Sequence, residues 1–126
     1  MEQSSAPVCE TPRDDQNVLS FDIDGYQVLV GRNNVSNERM VADHKGRHPD
    51  CLWLHALGAS GSHVICCLEG KGQVPYDTFK SVGKLAIEYS RSRGTAVRFA
   101  PLTKVFKPDG APSGIWQARP YRTFDI

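Results

Sequence analysis

The sequence predicts an α+β fold: a mostly antiparallel sheet with one long helix over about 75–93 and one short helix over about 36–44 packed on it. Three observations carry that expectation. Residues 18–30 alternate apolar and polar side chains around Asp24-Gly25, the period-two pattern of a β-hairpin. Phe79, Val82, Ala86 and Tyr89 recur at helical spacing and form an apolar stripe. Between and after these segments lie short apolar runs bounded by Gly, Pro and Asp, which suit strands rather than helices.

Each element follows in order. Residues 1–16 are polar, hold Pro7 and Pro12, and read as a disordered N-terminal tail; 17–126 read as a single domain. Leu19, Phe21 and Ile23 form one side of the first strand, and Tyr26, Val28 and Val30 continue the alternation after the turn. Gly31-Arg32-Asn33-Asn34 closes the hairpin, with Asn33, Asn34 and Ser36 as candidate caps for the short helix. Residues 51–56 and 63–68 read as buried strands flanking the small-residue loop 58–62. The long helix has Pro75 at its first position, Asp77 in its first turn, Arg91 and Arg93 in its last, and Gly94 as the expected left-handed cap. Strands are expected at 96–100, 104–106 and 115–117, the last after the Pro/Gly loop 107–114.

Composition narrows the function. The chain has 126 residues, 40% apolar and 23% charged, ordinary for a globular protein able to bury a core without disulfides or metal. No apolar run nears the ~20 residues of a membrane helix, and residues 1–5 have neither the basic start nor the apolar stretch of a signal peptide. Cys9, Cys51, Cys66 and Cys67 form no C-x-x-C pair and read as reduced thiols, which points to the cytoplasm. Residues 1–69 carry 5 Lys/Arg against 10 Asp/Glu, a net of −5, whereas 70–126 carry 10 against 4, a net of +6. That asymmetry gives either one positive face or an ordinary solvated surface.

Three constellations could carry chemistry. Trp53 and His55 share one side of a strand, and His63 would lie near them if the next strand pairs antiparallel. With Ser60 and Gly61 they would form a ring-lined surface able to stack a base, beside loop N–H groups able to meet phosphate. The plainer reading makes Trp53 core and the histidines hydrogen-bonded spacers. In the second constellation, Arg32, Asn33 and Asn34 at a helix start would hold a phosphate, or would form a simple strand-to-helix turn. The third joins Lys104 and Lys107 with Arg98 as backbone contacts for nucleic acid, or as an edge that discourages aggregation. His55, His63 and Asp50 have no recognised zinc spacing. The chain has no G-x-S-x-G elbow and no P-loop, so no catalytic residue, metal or cofactor is assigned.

In this order, these constellations resemble the NFACT-R domain, the RNA-binding domain of RqcH- and NEMF-type ribosome quality-control factors. The matching residues are Asp24-Gly25, Val30-Gly31-Arg32-Asn33-Asn34 with Asn37, Asp50, Trp53-x-His55 and Gly61-Ser62-His63. They continue with Ala86, Tyr89-Ser90, Lys104, Lys107-Pro108, Gly110 and Gly114, and span about 18–116. Cys51 stands as an insertion between the family's Asp and Trp. The resemblance implies a compact α+β domain that binds structured RNA, tRNA or rRNA, in translation. The large family members add an N-terminal domain, a helix-hairpin-helix segment and a coiled coil. None of these fits in this chain, so the stand-alone form of the domain is expected.

The expected function is therefore a non-catalytic RNA-binding module in translation, ribosome quality control or tRNA modification. Its partners would be tRNA or rRNA, and a ribosome or a tRNA-modifying enzyme. The candidate RNA-binding residues are Arg32, Asn33, Asn34, Trp53, His55, Ser60, Gly61, His63, Arg98, Lys104 and Lys107. Two alternatives stay open: a small or accessory enzyme acting on tRNA with His55 or His63 as acid/base, and a protein-interaction module docking on the ribosome.

Overall fold

The structure, a computed structural model, describes residues 17–126; the tail expected over 1–16 lies outside them. Strands β1 (Val18–Ile23) and β2 (Tyr26–Gly31) form the expected hairpin. Asp24 and Gly25 both take positive φ, and Asp22 Oδ1 accepts the Gly25 N–H at 2.9 Å. Helix α1 (Asn34–Arg47) follows, then β3 (Leu52–Ala56), β4 (Val64–Cys67), helix α2 (Tyr76–Tyr89) and β5 (Ala96–Pro101). A short 3-10 turn at Leu102–Lys104 leads to β6 (Val105–Phe106), β7 (Gln117–Ala118) and β8 (Arg122–Asp125).

The main sheet has six strands in the order β1-β2-β4-β3-β5-β8, all antiparallel, and β6 pairs with β7 in a separate ribbon. This is the expected α+β class, with both helices on the sheet, one against each face. Leu29, Trp53, Ile65 and Cys67 pack with Met40 and Val41 of α1 and with Val105, Trp116 and Ala118 of the ribbon. Val28, Val30, Leu54, Val64 and Cys66 pack with Val82 and Ala86 of α2. Adjacent Cys66 and Cys67 thus enter opposite cores, as strand periodicity requires. The central strands β3 and β4 are covered on both faces, which explains why they read as continuous apolar runs.

Several boundaries differ from expectation. Helix α1 is longer at both ends. Asn33 is its cap: Asn33 Oδ1 accepts the Ser36 N–H at 2.8 Å and Ser36 Oγ accepts the Asn33 N–H at 3.0 Å, a reciprocal capping box. Helix α2 stops at Tyr89 because Arg91, not Gly94, takes the left-handed conformation. His63 precedes β4 instead of opening it, and the strand expected at 115–117 is the two-residue β7. Strand β8 was not expected. It docks Phe124 against Phe79 and Phe99, with ring centroids 4.5 and 5.6 Å away. Gly83 on α2 makes room for it, since a Cβ there would lie 2.6 Å from the Phe124 ring.

Candidate functional site

The Trp53 side of the sheet holds the histidines. Trp53 and His55 stand two residues apart on β3 and stack with centroids 5.7 Å apart and planes 9° from parallel. His63 comes in from the loop before β4, 4.7 Å from the His55 ring. Two backbone ties fix it: its carbonyl accepts the Gly31 N–H at 3.0 Å and its N–H donates to Asn37 Oδ1 at 3.2 Å. The Asn37 amide also donates to the Gly61 carbonyl at 3.3 Å, so one side chain of α1 holds both ends of the Gly61-Ser62-His63 turn. Gly31 must be glycine here, because a Cβ would run into Asn37 Oδ1.

Trp53 Nε1–H donates to His63 Nδ1 at 2.8 Å. That ring nitrogen is therefore an acceptor, and the proton of the neutral imidazole sits on Nε2. Burial pushes His63 down to about 3, helped by the neighbouring His55 and by Arg98. Burial likewise pushes His55 down to about 4, with Arg98 adding repulsion. Both rings are neutral at pH 7.

Arg98 on β5 lies directly across from His55 on β3. Its Nη1 donates to Gln117 Oε1 at 3.0 Å, its Nη2 lies 3.3 Å from His55 Nδ1, and its Nε has no partner. The guanidinium stands 5.3 Å from the Trp53 ring and 5.7 Å from the Tyr121 ring. A cleft of about 130 Å³ opens beside it, walled by Asn34, His55, Ser60, Gly61, His63 and Arg98 with Gly114 and Trp116–Gln117. Gly114, at φ +87°, packs on Asn34 so closely that a Cβ would lie 2.9 Å from the Asn34 backbone. The loop carrying it is tied to α1: Glu38 Oε1 accepts the Gly114 N–H at 2.8 Å and Lys107 Nζ at 2.7 Å. Desolvation pushes the Glu38 carboxyl up, but the hydrogen bonds from Lys107 and Gly114, the Lys107 charge and the nearby Trp116 indole together outweigh it and hold it below its ordinary value. Trp116 Nε1 leans toward the same carboxylate without reaching hydrogen-bond geometry.

Six expected residues, Asn34, His55, Ser60, Gly61, His63 and Arg98, thus meet at one cleft from four stretches of chain. The other five stand outside its lining. Trp53 has no exposed surface, so direct stacking of a base on its ring is corrected: it is a core residue that orients His63. The Asn33 side chain is occupied by the α1 cap. Arg32 is exposed next to it. Lys107 bonds Glu38 and the Pro112 carbonyl, and Lys104 sits across the ribbon, its carbonyl accepting the Arg119 N–H at 3.0 Å. Site roles for Glu38, Trp116 and Gln117 were not expected; their spacing in the chain carries no sign of them. Among the described residues, no group of three or more His, Cys, Asp or Glu side chains is arranged to hold a metal ion, and no helix is long and apolar enough to cross a membrane. The cleft offers a half-buried cation, two neutral imidazoles and loop backbone, a set suited to an oxyanion of phosphate size.

No family model matches the chain. The sequence is similar to the Rqc2 homolog RqcH of Bacillus subtilis (strain 168). It is 29% identical over 93 residues, a match covering 71% of this chain and 15% of that protein. The chain is thus similar to one segment of a much longer protein. Its fold is similar to the C-terminal part of the fibronectin/fibrinogen-binding protein from Streptococcus suis (FBPS), with a TM-score of 0.76 at 24% identity. That likeness covers 93% of this chain and 47% of the other, and at that identity it concerns the fold alone. The chain thus spans less than half the length of either protein.

Proposed function

We propose that this chain is a non-catalytic RNA-binding domain acting in the cytoplasm in translation, in a ribosome quality-control or tRNA-modification setting, with tRNA or rRNA as its ligand. The observation that carries the reading is the Arg98 cleft, where six residues expected to bind RNA converge from four segments. The half-buried Arg98 guanidinium lines this cleft and supplies the cation that a phosphate oxygen would meet. The similarity to RqcH and the NFACT-R resemblance of the motifs support the translation setting. Arg32 and Lys104 extend the contact along the backbone, while Trp53 acts from below by fixing His63.

The histidine protonation states favour binding over catalysis. A general acid working at neutral pH needs a pKa near 7. His55 and His63, held at about 4 and 3, have no proton to give in that range beyond the neutral ring N–H.

The test is binding of tRNA and rRNA fragments across a salt series, with a turnover assay on the same RNAs. The reading expects affinity that falls steeply with salt, weakening in Arg98→Gln and Lys104→Ala, and intact RNA at the end. RNA turnover lost in His55→Ala with binding retained would replace it with the tRNA enzyme. Capture of ribosomal proteins that survives nuclease, with no affinity for free RNA, would replace it with the docking module.

A further inference from the structure

The burial of Trp53 leaves the RNA-binding reading without a stacking surface, and the far side of Arg98 provides one. Phe106, Gln117, Arg119 and Tyr121 line a second cleft of about 480 Å³. Tyr121 is 43% exposed, one of the few large rings the protein leaves open to solvent. The Arg119 guanidinium stands 5.3 Å from the Phe106 ring, and Arg98 stands 5.7 Å from the Tyr121 ring. Gln117 borders both clefts and holds Arg98 between them at 3.0 Å. The β6–β7 register sets Phe106 opposite Gln117, and the Lys104 carbonyl in the turn before β6 accepts the Arg119 N–H, which ties the backbone carrying Arg119 to that turn.

The two clefts differ in what they can hold. The inner one, at about 130 Å³, has room for a few waters or a single phosphate group. The outer one, at about 480 Å³, falls within the range of small-molecule sites. It combines aromatic faces with arginines, the pairing by which proteins stack bases and follow a single-stranded backbone.

Resting on the RNA-binding reading above, we propose that the Phe106–Arg119–Tyr121 cleft is a nucleobase subsite. It takes one unpaired base of the RNA on the Tyr121 ring, with Arg119 on the adjoining phosphate. The ligand class is thereby narrowed to RNA with a single-stranded or flipped-out nucleotide, since a base inside a duplex has no free face to offer. Gln117 Oε1 is already taken up by Arg98, and stacking on an aromatic face tolerates any base, so the subsite selects unpaired over paired RNA with little base preference.

The experiment uses a short single-stranded RNA carrying one 2-aminopurine, and the same strand fully paired. The whole chain is compared with Tyr121→Ala and Tyr121→Phe, each checked for native circular dichroism. The expected result is quenching of 2-aminopurine by the wild type and by Tyr121→Phe, and tighter binding of the single strand than the duplex. Tyr121→Ala loses the quenching and about 5- to 100-fold in affinity for the single strand, with little change for the duplex. Salt-dependent RNA binding without quenching, or with Tyr121→Ala binding as tightly as the wild type, overturns the subsite and leaves the RNA-binding reading standing. No affinity for any RNA in the wild type overturns both.

Discussion

The Trp53 indole N–H donates to His63 Nδ1 at 2.8 Å across the buried face of the sheet, joining a core residue of β3 to the loop that edges the Arg98 cleft. The bond fixes the His63 tautomer and makes the ring's orientation a consequence of core packing. Trp53→Phe keeps an aromatic ring but removes the donor, leaving a buried nitrogen unpaired. We expect a loss of about 1–3 kcal/mol in denaturant unfolding. In the wild type, nitrogen NMR should find the His63 proton on Nε2.

Acid should destabilise the fold through the same rings. Unfolded, each histidine titrates near 6.5; folded, His55 is held at about 4 and His63 at about 3. Protons therefore bind preferentially to the unfolded chain. The stability from keeping these rings neutral is complete above pH 6.5 and is lost as pH falls from 6.5 toward 4 and 3. At pH 5 each ring accounts for about 2 kcal/mol of that loss, since one pKa unit is about 1.4 kcal/mol. Buried His44 is shifted down as well and adds in the same direction. Unfolding free energies at pH 7.5 and pH 5 should differ by on the order of 4 kcal/mol, and His55→Gln should remove roughly half of the difference. A flat profile would contradict the buried neutral pair.

The Glu38 tether predicts a dynamic effect. Glu38→Ala removes the acceptor of both the Gly114 N–H and Lys107 Nζ. Gly114 should then exchange its amide hydrogen on the order of tenfold faster, as expected for a lost hydrogen bond to a charged group.

Gly61 carries a packing prediction. A Cβ there would approach the Ser90 backbone at the end of α2 to 2.8 Å. Gly61→Ala should cost about 1–3 kcal/mol by forcing the Gly61-Ser62-His63 turn away from the helix, read as a lowered unfolding midpoint at unchanged m-value.

How much of this was legible in the sequence depends on whether the signal was local. The β1–β2 hairpin was, because strict alternation around Asp24-Gly25 leaves one register. The neighbourhood of His55 and His63 was also legible, since period two puts Trp53 and His55 on one side and the intervening loop is short. The depth of Trp53 was not. It depends on the β6–β7 ribbon and α1 closing over that face through Met40, Val105 and Trp116, contacts between residues far apart in the chain. Strand β8 escaped for a different reason: Arg122–Asp125 contains one apolar side chain, Phe124, and its pairing with β5 is set by the Phe79–Phe99 cluster. The left-handed residue after α2 is Arg91, a position that residue type does not signal.

In the RNA-binding reading Arg98 holds an RNA phosphate in the inner cleft, and the salt dependence of tRNA affinity for the wild type and Arg98→Gln measures that contact. The wild type should show a straight log–log decline with salt, and Arg98→Gln weaker binding with a slope shallower by about 1, the mark of one lost phosphate contact. An Arg98→Gln protein that folds natively and keeps the wild-type affinity and slope would contradict it.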